Sequence, residues 1–227
     1  MNTILSEKEW LLLRTEIREY FVHRRNLHLL PLLFLGIFLE AWIYPVGSPI
    51  APALLITIAA LEAQFNNIFY RTANELEAMA LFPLAWERIV FVKNLATIAL
   101  TFGLMTLTAM GLIYFSPDEM THERWAQAIV YLGMVIFPLL HFGNAQSVKR
   151  PRKVTDLEIG DLVHMLWLLV NLLLISLPYY LLMNIYHFWI GCLAYVIGFG
   201  WFWYRYSVKA TGRQIESEIS MICSKLS

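Results

Sequence analysis

Residues 83–115 read PLAWERIVFVKNLATIALTFGLMTLTAMGLIYF. A helix needs about 20 apolar residues to cross roughly 30 Å of hydrocarbon, so the apolar run 84–115 is longer than one crossing requires. Its opening, PLAWERIVFVKN, is too polar for lipid and is expected at the cytoplasmic surface. Working outward, five more apolar runs appear: 27–46, 50–70, 125–143, 161–182 and 186–204. The chain of 227 residues is 59% hydrophobic and 15% charged, against about 25% charged in a soluble domain. Such an excess does not fit one core and has to be shared among segments that face lipid. The expected fold is all-α and integral to the membrane: six transmembrane helices preceded by an N-terminal amphipathic interfacial helix, with both termini cytoplasmic. Pro178 is expected to bend the fifth span, because it lacks an amide hydrogen. Asn184 suits the tight outer turn before the sixth.

Sidedness follows from the basic residues, which stay on the cytoplasmic side. Lys8, Arg14, Arg18, Arg24 and Arg25 precede the first span. Arg71, Arg88 and Lys93 follow the second, Lys149, Arg150, Arg152 and Lys153 the fourth, and Arg205, Lys209, Arg213 and Lys225 the sixth. Of the 17 basic residues only Arg124 falls on the other side, beside Asp118, Glu119 and Glu123. The chain divides into an amphipathic segment 1–25, a six-span domain 26–206 with cytoplasmic loops 71–93 and 144–160, and a cytoplasmic tail 207–227. Trp42 with Tyr44, and Trp201 with Trp203, suit the aromatic belt. The place is a multi-pass membrane, with no cleavable signal peptide visible at the charged start.

The amphipathic segment opens with a capping box, Ser6 and Glu9. Trp10, Leu13, Ile17 and Phe21 recur at helical spacing, so this face is expected to lie on the membrane interface. Elsewhere the chemistry is sparse. Cys192 and Cys223 suggest neither disulfide nor metal. The six histidines are scattered, and no P-loop, H-E-x-x-H or G-x-S-x-G is present. No metal site, cofactor or catalytic residue is expected on the chain, no basic block suggests nucleic acid, and an enzyme is not expected.

The loop after the second span is the most informative: FNNIFYRTANELEAMALFPLAWERIVFVKN, residues 65–94. Thr72 and Glu75 form a second capping box, so a short helix is expected over 72–83. Pro83 is expected to end it and open the next, since its ring is tolerated in a first turn. This helix would present Glu75, Leu76, Glu77, Met79, Ala80 and Phe82 to the cytoplasm. The residues alone leave two readings open: a docking surface for a partner, or a connector that only turns the chain.

This stretch resembles the coupling-helix region of type-2 ATP-binding-cassette (ABC) exporter permeases. The matching positions are Asn66, Asn67, Phe69, Glu75, Glu77, Leu81, Pro83, Lys93 and Asn94. A second stretch, FGNAQSVKRPRKV at 142–154, is similar to a cytoplasmic motif of a bacterial branch through Gly143, Asn144, Ser147, Pro151 and Arg152. The longer re-entrant insertion that some members carry between spans five and six is absent from the sequence. The resemblance implies a permease subunit of an exporter in the bacterial inner (plasma) membrane. It would pair with a second copy or a paralogue, and would be driven by ATP and Mg held on a separate cytoplasmic ABC ATPase. Contact with that ATPase would fall on Arg71, Glu75, Leu76, Glu77, Met79, Phe82, Pro83, Glu87 and Arg88, and in the second loop on Asn144, Ser147, Arg150 and Arg152.

Polar residues inside spans are costly and usually face a cavity or a partner. Glu62, Asn66 and Asn171 are therefore candidate pathway residues. The plainer readings are that Glu62 reaches cytoplasmic water or Lys93, and that Asn171 makes one interhelical hydrogen bond, worth roughly 1 kcal/mol. KRPRK at 149–153 either binds anionic lipid headgroups or only fixes orientation. The alternative to a transporter is a non-transporting membrane anchor or assembly subunit of another complex.

Overall fold

The computed structural model describes residues 5–22, 73–115, 122–149, 181 and 188–226. Among these the structure is all helix and turn, with no strand. In chain order come α1 (Glu7–Val22), α2 (Ala73–Ala80), α3 (Trp86–Phe115), α4 (His122–Lys149), α5 (Phe188–Phe202) and α6 (Lys209–Leu226), the last two joined without a break by a π-helical stretch, Trp203–Val208. The expected spans 27–46 and 50–70, and 161–182 apart from Leu181, lie outside the described residues. Among the described residues no helix is long and apolar enough to cross a membrane.

Local chemistry accounts for the ends of these helices. At the start of α1 the Ser6 amide donates to Glu9 Oε2 at 2.7 Å, the Ser6 hydroxyl donates to the same oxygen at 2.9 Å, and the Glu9 amide returns to Ser6 Oγ at 3.4 Å. This is the capping box read from the sequence. At the end of α2, Phe82 N donates to the Met79 carbonyl at 3.0 Å. Pro83 then disfavours a helical conformation at Phe82. Ala85 starts the next helix, its carbonyl accepting from Arg88 N at 2.8 Å and Ile89 N at 3.1 Å. Two expectations are corrected here. The short helix ends at Ala80 rather than reaching 83, Thr72 lying outside the described residues, and Pro83 stands in the connection before Trp86 rather than in a first helical turn.

Two further boundaries move. α4 continues through Lys149, so Asn144 and Ser147 are helical residues and not part of a loop 144–160. No break separates the sixth run from the tail 207–227: helix continues through α6 to Leu226. The widened turn at 203–208 sets inward three residues, Trp203, Ser207 and Val208, that a regular α-helix would spread over a broader arc.

The core sits where α1, α2, α6 and the first turns of α3 meet. Leu5, Leu12 and Leu13 of α1 and its approach, Leu76 of α2, Trp86, Ile89 and Val90 of α3, and Ile215 and Ile222 of α6 form one buried cluster. A smaller cluster joins α4 to α5 through Met134 and Cys192. At the first cluster α6 and α3 come nearly backbone to backbone. A Cβ on Gly212 would lie 2.6 Å from Glu87 N and 2.7 Å from Glu87 Cα.

That contact gives a sign test. In an open helix Gly→Ala stabilises by about 1 kcal/mol, and Gly198, with nothing within 4 Å of its Cβ position, should follow that rule. Gly212→Ala should instead destabilise by about 1–3 kcal/mol through overpacking against backbone. Thermal unfolding of the detergent-solubilised chain should show a lowered Tm for Gly212→Ala and an unchanged or raised Tm for Gly198→Ala.

Candidate functional site

The elbow formed by α2 and the start of α3 is the candidate site, and its stiffness comes from packing. Leu76 is fully buried in the cluster that includes residues of α3 and α6, while Met79 and Phe82 lie half-buried against the same cluster. This corrects the expectation that Leu76 faces a partner: it is an internal anchor. The surface left to solvent is Glu77, Ala78, Ala80, Leu81 and Pro83, with Leu81 86% exposed at the tip. Of Glu75 only the backbone position in α2 is described, and Arg71 lies outside the described residues.

The helix α6 supports this elbow from beneath. Ile215, Ile219 and Ile222 follow at helical spacing and pack into the core, with Cys223 beside them. Cys223 lies close enough to α2 that burial and then the Glu77 carboxylate push its thiol pKa up. Glu87, expected to touch an ATPase, pairs with Arg213 Nε at 3.2 Å. That pair is exposed and contributes little to stability; the close approach at Gly212 does more to fix the two helices.

On the other side α1 is clamped to α3 by two ion pairs in the same order along both helices. Glu9, 2% exposed, meets Arg88, and Glu16 meets Lys93 Nζ at 2.9 Å. Arg88 also lies 5.7 Å from the Phe91 ring centre, and Phe91 stacks edge-on against Tyr204 of the π-helical stretch at 5.6 Å. So Arg88, also expected to touch a partner, holds three elements of its own chain together. Burial opposes ionisation of Glu9, but the Ser6 amide, Arg88 and the Ser6 hydroxyl outweigh it and hold the carboxyl below its ordinary range. The Glu9 hydrogen bond in turn raises Arg88 against the effect of burial. The face of α1 is also corrected. Leu13 and Ile17 turn to α3, whereas Trp10 is exposed.

Behind the elbow lies a polar layer. Asn144 Nδ2 of α4 donates to Ser207 Oγ at 2.9 Å, fully buried. Lys93, Asn94, Thr97 and Thr101 form a buried polar row on α3. Both threonine hydroxyls turn back to carbonyls one turn earlier. Among the described residues, neither polar atom of the Asn94 amide has a hydrogen bond. Of the other expected site residues, Ser147 stands in the last turns of α4, while Arg150, Arg152, Glu62, Asn66 and Asn171 lie outside the described residues. Sequence reading missed α6 as a brace, although Ile215, Ile219 and Ile222 carried the signal. Among the described residues no group of His, Cys, Asp or Glu is placed to hold a metal ion.

No protein-family model, curated protein or solved structure matches the chain.

Two outcomes test this geometry. Leu76→Ala should cost about 2–5 kcal/mol, and hydrogen exchange should show α2 and α6 loosening together. For Glu9, whose folded pKa lies below the ordinary value of 4.5, the support to α1 is complete above that value. It is lost as pH falls through the lowered folded pKa. Limited proteolysis should find α1 protected at about pH 5–7 and released below about pH 4, and Glu9→Gln should flatten that dependence.

Proposed function

We propose that the chain is the membrane-spanning permease subunit of an ABC exporter, with α2 as the lever on which a separate ATPase acts. Six spans cross the membrane, both termini are cytoplasmic, and the elbow faces the cytosol. The observation that carries the reading is the construction of α2. It is a helix of 8 residues, anchored inward by Leu76 and braced by α6, with Glu77, Leu81 and their small neighbours turned outward among the described side chains. A force applied there would pass to α3 through packed side chains rather than being absorbed by a loop.

The distribution of polarity supports the membrane part of the reading. Lys93, Asn94, Thr97 and Thr101 of α3 are buried, while Leu107 and Met110 of α3 and Ile190, Leu193, Ile197 and Trp201 of α5 are all more than half exposed. Exposed apolar surface on this scale calls for lipid or a partner. The sequence from Leu95 to Phe115 carries no charged residue, and α3, 30 residues long, measures about 45 Å at 1.5 Å per residue. The basic residues alternate with the expected spans.

The test is purification of the tagged chain in mild detergent, with its associated proteins identified by mass spectrometry. An ATPase carrying a P-loop should be recovered with the wild-type chain. The double variant Glu75→Arg, Glu77→Arg should still insert and should recover it at least about tenfold less, the scale of a lost contact of about 1.4 kcal/mol. Full recovery with the double variant, or no ATPase with the wild type, would count against the reading and favour a non-transporting anchor.

A further inference from the structure

The helix α1 has one face spoken for. Leu5, Glu9, Leu12, Leu13 and Glu16 lie within one arc of its wheel and turn to α3. The diametrically opposite arc carries Arg14 and Arg18, one turn apart, with Glu7 two turns before Arg14 at the start of the helix, and is flanked by Trp10, 57% exposed, and Leu11, 60% exposed. Side chains three and four residues apart on a helix are neighbours. So two guanidinium groups stand between an indole and an isobutyl group on a face that nothing among the described residues covers.

A solvated face needs neither Trp10 nor Leu11, and burying either against lipid is favourable. Guanidinium groups match phosphate geometry through paired donors, and an indole is at home at the level of the headgroups. Position agrees. The first apolar run begins at Leu27, five residues beyond Val22, and a chain spans at most about 3.5 Å per residue. The end of α1 therefore stays within roughly 18 Å of the point where that run starts. We infer that the outer face of α1 is a contact for anionic phospholipid, with Trp10 and Leu11 seated at the acyl–headgroup boundary and Arg14 and Arg18 on headgroup phosphates. The lipid takes the face opposite Leu13 and Ile17, so the helix holds α3 and the bilayer at once. This rests on the membrane part of the proposed function and not on the ATPase.

The experiment uses the full chain with Cys223→Ser, reconstituted into vesicles of zwitterionic lipid with or without 30% phosphatidylglycerol (about that fraction suffices to charge the surface). One fluorophore is placed at Leu11→Cys, and in a second protein at Ser217→Cys on the exposed side of α6. Quenching by lipid-attached nitroxide is compared with quenching by aqueous iodide. The Leu11 label should be quenched several-fold more by lipid than the Ser217 label. The difference should grow with phosphatidylglycerol, and Arg14→Gln with Arg18→Gln should abolish that growth. A Leu11 label as open to iodide as the Ser217 label in both lipids would overturn the inference, and one shielded from both quenchers would overturn it in favour of a protein contact. A chain that fails to float with the vesicles would overturn the membrane reading as well, so the two failures are told apart.

Discussion

At Gly212 the backbone of α6 closes on the first turn of α3, and the rest of the described structure is arranged around that closeness. A Cβ there has no room beside Glu87. Because the two helices meet without a side chain between them, Ile215 and Ile222 reach the core that also holds Leu76. The helix α2 packs on α6, and through Leu76 it joins the buried cluster that α3 and α6 share.

The elbow is tied to the rest of the molecule through unlike interactions. Part-buried ion pairs join it to α1, and a buried amide–hydroxyl bond from Asn144 to Ser207 joins α4 to the π-helical stretch that leads into α6. Each pair sets a buried group, Glu9 or Lys93, against a partner that still reaches water. They specify a position more than they strengthen it. Asn94, buried without a hydrogen bond among the described residues, marks the place where that layer is least settled.

Much of the helical layout was legible in the sequence, and the reasons differ by element. The Ser6–Glu9 capping box involves neighbours in the chain, so spacing alone located it. The helix α2 was placed within a few residues by its acidic start and by Pro83. The burial of Leu76 was not legible, because whether a leucine on a short helix faces a partner or its own core depends on α6, well over a hundred residues away in sequence. The same holds for Glu87 and Arg88, whose charges suggested a surface for another protein but meet Arg213 and Glu9 of this chain. The brace that α6 provides was not legible for a simpler reason: the many polar residues of 207–227 masked the row Ile215, Ile219 and Ile222, the pattern of a helix packed on one side. On α1, periodicity grouped Trp10 with Leu13 and Ile17, and only the ion pairs of Glu9 and Glu16 decide which arc turns inward.

The central claim is that the elbow lies on the cytoplasmic side of a membrane. Leu81, at the exposed tip, is the position to interrogate, by introducing Leu81→Cys on a Cys223→Ser background and treating cells with a membrane-impermeant maleimide. Labelling in inverted vesicles, with none in intact cells, is the predicted result. Labelling of Leu81→Cys from the outside of intact cells would contradict the account.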